Sequence, residues 1–357
     1  MNTASDLVRK SRWAVMSPAR RLTESWREAG VHGGPPRSLP DCDVRLPYPN
    51  SWYSVCLSTE LLPGRLVRQR LAGEDLVVYR TRSGRVCAVR PFCPHLGTHL
   101  GYGGRVDGED IVCPFHHFAY DPSGACVRTG YGTAPPTALS LTLVPVREVD
   151  GIVVVWYHAQ NELPDWTIPD ALPPDLRPTV VRTDILVDHP QEFMENAFDI
   201  GHFQPVHHAE VAYSEFDFNN QFCNISIGFQ GRGITFSTIA PVHLKATVYG
   251  LGIVAVKAEI PAFRTVFRFW GMSTPVDPFH IEIRWALRFE RLFGFRARIS
   301  LRWLERIILH MLRSDAKRDY PIWQNKRYLA RPRLAKGDGP IMKYRRWARQ
   351  FYSIEQE

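Results

Sequence analysis

Residues 93–95 read Cys-Pro-His and residues 113–116 read Cys-Pro-Phe-His, with 17 residues between the two motifs. Two thiols and two imidazoles on separate turns suit either one zinc ion or a [2Fe–2S] cluster in which two histidines replace two cysteines. A Cys-x-His pair holds both ligands within one tight turn, so it does not comfortably share a single tetrahedral ion with the second pair. On a two-iron cluster, each loop gives its Cys to one iron and its His to the other. The spacing therefore favours the cluster over zinc.

These motifs resemble the Rieske signature, which is Cys-x-His, then 15 to 17 residues, then Cys-x-x-His. The turn Tyr120-Asp-Pro-Ser-Gly124 is similar to the family as well, and the resemblance covers about residues 50–158. His117 stands where the family usually has Gly, and we predict a packing or surface role for it. The resemblance implies a [2Fe–2S] cluster whose ligands are Cys93, His95, Cys113 and His116.

Length and composition indicate a globular protein of one large or two ordinary domains. The chain has 357 residues, of which 45% are hydrophobic and 22% are charged. Its seven cysteines are odd in number and scattered, so they predict no disulfide framework. No uncharged apolar stretch reaches the roughly 20 residues that span a bilayer, and the basic N-terminus is not followed by the apolar core of a secretion signal. These features predict a cytoplasmic protein.

The fold class predicted from the pattern is α+β, with four consecutive segments. We expect an N-terminal extension at residues 1–47 and an all-β Rieske [2Fe–2S] domain at residues 48–160, where short β-rich runs alternate with turn residues. A proline-rich linker follows at residues 161–178. Residues 179–357 then form a catalytic domain with a helix around Glu192–Phe203, strands over 214–289, and a long helical region over 299–328. The resemblance implies a helix-grip fold for this domain, an antiparallel sheet with a long helix.

A second constellation of metal-ligand types occurs in the stretch Glu195-Asn-Ala-Phe-Asp-Ile-Gly-His-Phe-Gln-Pro-Val-His207. Steps of three place Asn196, Asp199 and His202 on one helical face. A step of five to His207 turns by about 140° on a continuous helix. We therefore expect Pro205 to bend the chain and to turn His207 back toward a metal. His208 is the less favoured ligand.

The two constellations together resemble the Rieske non-haem iron oxygenases. That resemblance implies a mononuclear Fe(II) held by His202, His207 and a late aspartate, which leaves positions open for O2 and substrate. Asp319, in the segment Asp319-Tyr-Pro-Ile-Trp323, is the favoured carboxylate, and Asp315 is its competitor. For Asp199, with Asn196 beside it in the catalytic group, the resemblance implies a bridge to a cluster histidine of a neighbouring subunit. A head-to-tail homotrimer is implied with it.

The C-terminal tail, with Asp338-Gly-Pro340 and Arg345-Arg-Trp347, resembles 3-ketosteroid 9α-hydroxylase oxygenase components and cholesterol 7-desaturases. This implies monooxygenation or desaturation of a bulky hydrophobic, steroid-like molecule. The Cys-Pro-Phe-His-His sequence also resembles aminopyrrolnitrin oxygenase and the prodigiosin oxidative cyclases, which leaves tailoring of an aromatic natural product open. A non-catalytic Rieske redox carrier is a third hypothesis. Phenylalanines at 216, 218, 222, 229 and 236 either line a pocket or fill ordinary core.

The C-terminal region is strongly basic, with 18 Lys/Arg against 5 Asp/Glu from Arg288 to Arg349. No recognition motif accompanies the charge, so nucleic acid is not expected. Three interpretations stay open. The charge is a solvated helix face, or it steers an acidic ferredoxin or flavin reductase that passes on electrons from NAD(P)H. Alternatively, Ile299–Leu312 makes peripheral contact with an anionic membrane surface.

Overall fold

The N-terminal part of the described chain is a set of short antiparallel strands. The computed structural model describes residues 46–230, 240–297 and 301–353. Ten strands form three sheets in the orders β1-β10-β9, β2-β3-β4 and β5-β6-β7-β8. Their bounds are β1 Ser51–Leu57, β2 Leu66–Leu71, β3 Glu74–Arg80, β4 Val86–Val89, β5 Arg105–Asp107, β6 Asp110–Val112, β7 Ala119–Tyr120, β8 Cys126–Arg128, β9 Val146–Val149 and β10 Ile152–Tyr157. The β-rich runs of the sequence are therefore strands, as predicted.

The C-terminal part is built on one large antiparallel sheet of eight strands. The order is β11-β17-β16-β15-β14-β13-β12, and β18 pairs with β17. In β13, buried Ile225 and Ile227 alternate with more exposed Asn224 and Ser226, so one face of the sheet is apolar. The bounds are β11 Val180–Val187, β12 Val211–Asn219, β13 Phe222–Phe229, β14 Val242–Tyr249, β15 Ile253–Ile260, β16 Thr265–Asp277, β17 His280–Leu292 and β18 Phe295–Arg296.

Five α-helices are described, all in this second part: α1 Pro190–Glu195, α2 Phe203–His207, α3 Arg302–Ala316, α4 Tyr320–Trp323 and α5 Ile341–Ala348. The predicted long helical region is shorter than expected and broken into α3 and α4. Its first residues, up to 300, lie outside the described residues. The break has a local cause, because a helix continued through Pro321 would lose a hydrogen bond and bring the proline ring against the carbonyl of Lys317. Among the described helices, none is long and apolar enough to cross a bilayer.

The proline-rich segment 161–178 contains one short 3₁₀ turn, Pro174–Leu176, and no strand. It is nevertheless attached to the protein, because Trp166 and Ile168 are buried and the Trp52 indole N–H donates to the Trp166 carbonyl at 3.0 Å. Trp52 of β1 and Trp270 of β16 belong to the same buried apolar cluster. One continuous core therefore joins the two parts of the chain.

A buried ion pair fixes α1 against α5. The Arg345 guanidinium donates two hydrogen bonds to the Glu195 carboxylate, at 2.5 and 2.8 Å. Beside it, Lys326 Nζ lies 2.9 Å from Glu192 Oε2. A bidentate pair of this kind fixes direction as well as distance. It therefore sets where the chain leaves α1 and enters the turn that carries the candidate ligands.

Candidate functional site

The two Cys/His motifs lie on neighbouring loops of the small sheets. The first follows β4, and the second is the turn between β6 and β7. Cys93 and Cys113 are each 1% exposed, whereas His95 and His116 are half-buried. The loops come together because β6 pairs with β7 and because the Cys113 amide donates to the Phe118 carbonyl across the turn. The fold thus brings all four predicted ligands to one end of the sheets.

Among the four side chains, the two histidines contact each other and the two cysteines contact each other. The rings of His95 and His116 meet edge to face with centroids 4.8 Å apart. The two cysteines are free thiols in mutual contact, and burial, reinforced by Cys93, raises the pKa of the Cys113 thiol despite N–H donors from its own loop. Such a pair is costly to ionise without a cation, and metal binding supplies one. In a Rieske-type [2Fe–2S] cluster, one iron binds two cysteines and the other binds two histidines, so this separation of the ligand types fits such a cluster.

One residue at this site was not identified from the sequence as a cluster neighbour. The Tyr120 hydroxyl lies 3.0 Å from Cys93 Sγ in the buried interior. A hydrogen bond to a ligand sulfur adjusts the potential of an iron–sulfur cluster. The two residues are 27 positions apart and meet through tertiary packing in one buried cluster, so no spacing in the sequence signals the contact.

His117 has a left-handed backbone conformation, with φ +54°, and its side chain is exposed. This explains why a glycine suits the position, since a side chain in that region costs roughly 1–2 kcal/mol. We expect His117→Gly to leave the cluster spectrum unchanged and to alter the free energy of unfolding by no more than about 1 kcal/mol, because relief of strain offsets the extra entropy of glycine in the unfolded chain. Thermal melts and visible absorption measure both.

A control for this variant is His117→Ala, which keeps the strained backbone but removes the imidazole. If His117 were a cluster ligand, both variants would lose the cluster absorption. If it is a surface residue, both keep it, and only the glycine variant gains relief of strain.

The second constellation surrounds α2 rather than lying along one helix. The prediction that Asn196, Asp199 and His202 share one helical face is wrong, because α1 ends at Glu195 and residues 196–202 are not helical. The turn is fixed from outside, where the Ile200 amide donates to the Asp338 carbonyl at 3.2 Å. Asn196 lines the cavity described below, and the Asp199 side chain is 41% exposed.

His202 immediately precedes α2, and His207 is its last residue. Their ring centroids are 5.2 Å apart. Pro205 lies in the first turn of α2, where a residue without an N–H removes no helical hydrogen bond. The predicted bend at Pro205 between the two histidines is therefore not found. His208 follows with φ +55° and an exposed side chain, and it does not belong to the group of potential metal ligands formed by His202, His207 and Asp319.

Asp319 meets the two histidines from the far end of the chain. One ligand atom from each of His202, His207 and Asp319 lies within 4.8 Å of the others. His207 Nε2 is 3.1 Å from Asp319 Oδ2, and both residues are 5% exposed or less. The competitor Asp315 lies on the other side of the ring, with its Oδ2 3.1 Å from His207 Nδ1. The structure thus brings Asp319 together with both histidines and puts Asp315 behind one of them.

The surroundings of the imidazoles fit a cation between them. The Nδ1 of His202 lies 2.6 Å from the Asp199 carbonyl, and its buried Nε2 has no hydrogen-bond partner among the described residues. Burial lowers the pKa of His202, which favours the neutral ring that a metal needs. Burial also lowers the pKa of His207, but Asp315 and Asp319 outweigh it and raise the pKa to about 9. A proton on His207 offsets the negative charge of Asp315 and Asp319, and a bound metal ion can replace that proton.

An apolar cavity of about 210 Å³ adjoins this group. Its polar wall contains Asn196, His207, Asp315 and Asp319, and α3 contributes Leu309 and Leu312. Of the phenylalanines predicted to line a pocket or fill core, Phe229 lines this cavity, and residue 236 lies outside the described residues. Much of the apolar lining comes from the sheet and from α1: Phe193, Met194, Ile225, Ile227, Leu244, Val254, Val256, Phe269 and Trp285.

Comparison with protein families places the two sites in known domains. The family described as Rieske [2Fe-2S] domain matches residues 51–139. The family described as 3-Ketosteroid 9alpha-hydroxylase C-terminal domain matches residues 155–352, which is more than half of the chain. The matches follow each other along the chain, in the order of the two candidate sites.

Related proteins extend over both domains. Cholesterol 7-desaturase nvd of Xenopus laevis is 32% identical over 342 residues, covering 86% of this chain and 72% of that protein. Cholesterol 7-desaturase nvd 1 of Ciona intestinalis is 30% identical over 334 residues, covering 86% of this chain and 69% of that protein. The similarity is therefore not confined to the cluster-binding part.

Among solved structures, NdmA of Pseudomonas putida CBB5 with caffeine superposes with a TM-score of 0.65 at 20% identity, covering 84% of this chain and 89% of that one. At this identity the match concerns the fold, and it confirms the predicted α+β class with a β Rieske domain ahead of an antiparallel-sheet domain. Since both families and both relatives agree, the chain is an oxidoreductase that belongs to the Rieske oxygenases with a 3-ketosteroid 9α-hydroxylase type of C-terminal domain.

Proposed function

We propose that the protein is an oxygenase component that uses O2 and externally supplied electrons to hydroxylate or desaturate a bulky hydrophobic, steroid-like molecule. The observation that carries the proposal is the meeting of His202, His207 and Asp319 beside an apolar cavity. The relatives named for cholesterol 7-desaturation, and the family named for 3-ketosteroid 9α-hydroxylation, support this substrate class.

In this proposal His202, His207 and Asp319 hold a mononuclear Fe(II). Two imidazoles and one carboxylate are the ligand set of many non-haem iron oxygenases. The unpartnered Nε2 of His202 and the close approach of the three ligand atoms support the assignment. When bound, the iron supplies O2 activation, and the protein supplies position and shielding.

The chain's own residues orient the two histidines. The Asp199 carbonyl accepts a hydrogen bond from His202 Nδ1, so Nε2 is the nitrogen left for the metal. Asp315 lies behind His207 Nδ1 in the same way, and we propose it as a positioning residue rather than a ligand. The apolar walls hold an apolar substrate and keep water out, while the few polar groups lie at the iron end.

Electrons reach this site through the Rieske cluster, which we propose is refilled from NAD(P)H by a separate ferredoxin and/or flavin reductase. The cysteines are buried and the two histidines are half-buried, so the imidazoles are nearest to a partner. Large exposed apolar side chains on or next to the cluster loops support a docking role for this end of the protein. They are Phe92, Leu96, Tyr102, Phe115 and Tyr131.

We further propose that the enzyme is a head-to-tail homotrimer in which the cluster of one subunit serves the iron of the next. Asp199 is suited to the crossing point, because its carboxylate is partly exposed and lies 3.9 Å from Nδ1 of His202. The exposed apolar residues at the cluster end support burial against another surface.

Asp199→Ala is expected to keep both metal centres and to slow oxygenation by roughly 10- to 100-fold, as for other groups behind a metal ligand. The carbonyl that orients His202 belongs to the backbone and survives the change. The measurement is reoxidation of the reduced cluster after rapid mixing with O2 and substrate. Asp217→Ala, at another exposed aspartate, is the matched control. Unchanged reoxidation in Asp199→Ala would contradict the bridging role.

Turnover of the purified oxygenase with a ferredoxin and reductase pair tests the function itself. We expect cholesterol or a 3-ketosteroid to gain one oxygen or lose two hydrogens, as mass spectrometry of the products would detect, and an arylamine to remain unchanged. Turnover of the arylamine alone would support the alternative of natural-product tailoring and contradict this proposal.

Residues 48–160 and 179–357 are the proposed cluster and catalytic domains, with 161–178 as the linker. The two family matches fall on either side of the segment around 140–154 and support this order. Residues 1–47, the proposed extension, lie almost entirely outside the described residues. A cytoplasmic location stays a prediction, supported by the free thiols of the six described cysteines.

A further inference from the structure

The second part of the protein exposes four large apolar side chains close together in the sequence. Phe293 and Phe295 are 65% and 81% exposed at the tip of the β17–β18 hairpin. Trp303 and Ile307 are 66% and 48% exposed and lie four residues apart on the outer face of α3. Apolar groups concentrated in this way on a surface generally mark a place of contact.

A buried guanidinium binds the end of the hairpin to the first turn of α3. Arg288 donates to the Ala297 carbonyl at 3.3 Å and to Glu305 Oε1 at 3.0 Å. Leu292 and Leu304 pack on the same buried apolar cluster. The base of the hairpin and the first turn of the helix are therefore adjacent. We treat the exposed apolar residues of the two elements together as the hairpin–helix patch, defined by Phe293, Phe295, Trp303 and Ile307.

The hairpin–helix patch is surrounded by positive charge. Exposed arginines at its edges are Arg264, Arg291, Arg296, Arg302 and Arg306. Arg296 pairs with Asp175, and the other four make no ion pair with any described residue. The Arg264 side chain lies against the hairpin, since a Cβ on Gly294 would be 3.1 Å from its Nε. Exposed aromatic side chains with arginines beside them complement a surface that is apolar within and anionic outside.

We propose that the hairpin–helix patch docks the enzyme peripherally on an anionic lipid bilayer. Phe293, Phe295, Trp303 and Ile307 enter the headgroup boundary, and the arginines contact lipid phosphates. A bilayer fits better than a protein partner because the apolar residues lie on a hairpin tip and a convex helix face, whereas protein hot spots lie in packed pockets. Phe293 and Gly294 form the two-residue turn, with φ +50° and +86°, that presents Phe295 outward.

Docking there also brings the catalytic cavity near the lipid, since α3 exposes Trp303 on one face and lines the cavity with Leu309 and Leu312. A helix is about 10–12 Å across, so a single helix separates the lipid surface from the cavity. Delivery of substrate from the membrane rests on the proposed function. The docking itself rests only on the hairpin–helix patch and its charge.

The test is flotation of the full-length protein with phosphatidylcholine vesicles, with and without phosphatidylglycerol. We expect binding to the anionic vesicles, weakened by added salt. The double variant F295S/W303S should bind at least roughly 10-fold more weakly, and R302Q/R306Q roughly 10- to 30-fold more weakly. Leu163→Ser, at a side chain that is 78% exposed, and Arg182→Gln, at an exposed arginine, are the matched controls.

Other results would overturn the proposal or assign the hairpin–helix patch to a different role. Wild-type binding no stronger to anionic than to neutral vesicles overturns the proposal, as does equal binding by F295S/W303S. A change in oligomeric state, or in the KM for ferredoxin, with vesicle binding unchanged assigns the patch to a protein contact instead. In F295S/W303S, turnover of vesicle-borne sterol should fall while turnover of detergent-solubilised sterol is kept. If the wild type does not oxidise the solubilised sterol, the proposed function fails and the flotation result still decides the docking.

Discussion

Asp319→Asn is expected to reduce the iron content from three atoms per chain to the two of the cluster and to lower oxygenation by more than roughly 100-fold. This loss is larger than the roughly 10- to 100-fold expected when a residue that only supports a metal ligand is changed. The reason is that Asp319, which is 3% exposed, provides the carboxylate that groups with both histidines in the described part of the chain. The Rieske spectrum should remain, which shows at the same time that the variant is folded. Iron analysis, electron paramagnetic resonance and turnover make the measurement.

Asp315→Asn is the matched variant, because Asp315 is a second, partly buried carboxylate neighbour of His207, four residues earlier. We expect it to keep a third iron that binds roughly 10- to 100-fold more weakly and that excess Fe(II) restores. The opposite pattern, in which Asp315→Asn loses the iron and Asp319→Asn keeps it, would show that the sequence competitor is the true ligand. Loss of the cluster spectrum in either variant would point to misfolding instead.

Cys93→Ala is expected to abolish turnover because a cluster lacking one of its buried thiolates does not assemble, and the iron site then receives no electrons. The rhombic signal after dithionite should disappear. A preparation that binds zinc at these residues, or a wild type without the rhombic signal, would contradict the cluster assignment.

The same variant tests the assembly. Cys93→Ala chains keep an iron site without a cluster, and Asp319→Asn chains keep a cluster without iron. Co-expressed with two different tags and purified through both, they should regain a clear fraction of wild-type turnover if electrons cross between subunits. No recovery in a verified mixed oligomer would mean that electrons pass within one chain, and an active monomer in sedimentation would exclude the trimer.

The proposed cluster ligands could be named from the sequence because their spacing is local. Cys93 and His95 share one turn, which follows β4 after three residues, and Cys113 and His116 share another, which directly follows β6. In the structure the two histidine rings are in contact with each other, and so are the two cysteine side chains. What local spacing does not contain is the hydroxyl of Tyr120 beside Cys93, which depends on how strands pair.

The proposed iron site was only partly predictable from the sequence, because its geometry depends on contacts between distant segments. His202 and His207 are close in sequence, but a uniform helix through 192–203 gave the wrong backbone, because a hydrogen bond from Ile200 to Asp338 and the pairing of Glu195 with Arg345 end α1 early. These partners are more than 130 residues away. The choice between Asp315 and Asp319 likewise needs the relative positions of α3, α4 and the sheet.

By itself the sequence determined the ligand types, the two constellations, the family and the strand-rich first part, since each depends on residue identity within short windows. Tertiary structure alone decided which carboxylate faces both histidines, which side chains line the cavity, and that Phe293, Phe295, Trp303 and Ile307 are left exposed among exposed arginines. The physical reason is that burial and pairing are properties of distant segments packed together. A hydrophobic residue in the sequence does not reveal whether another segment covers it.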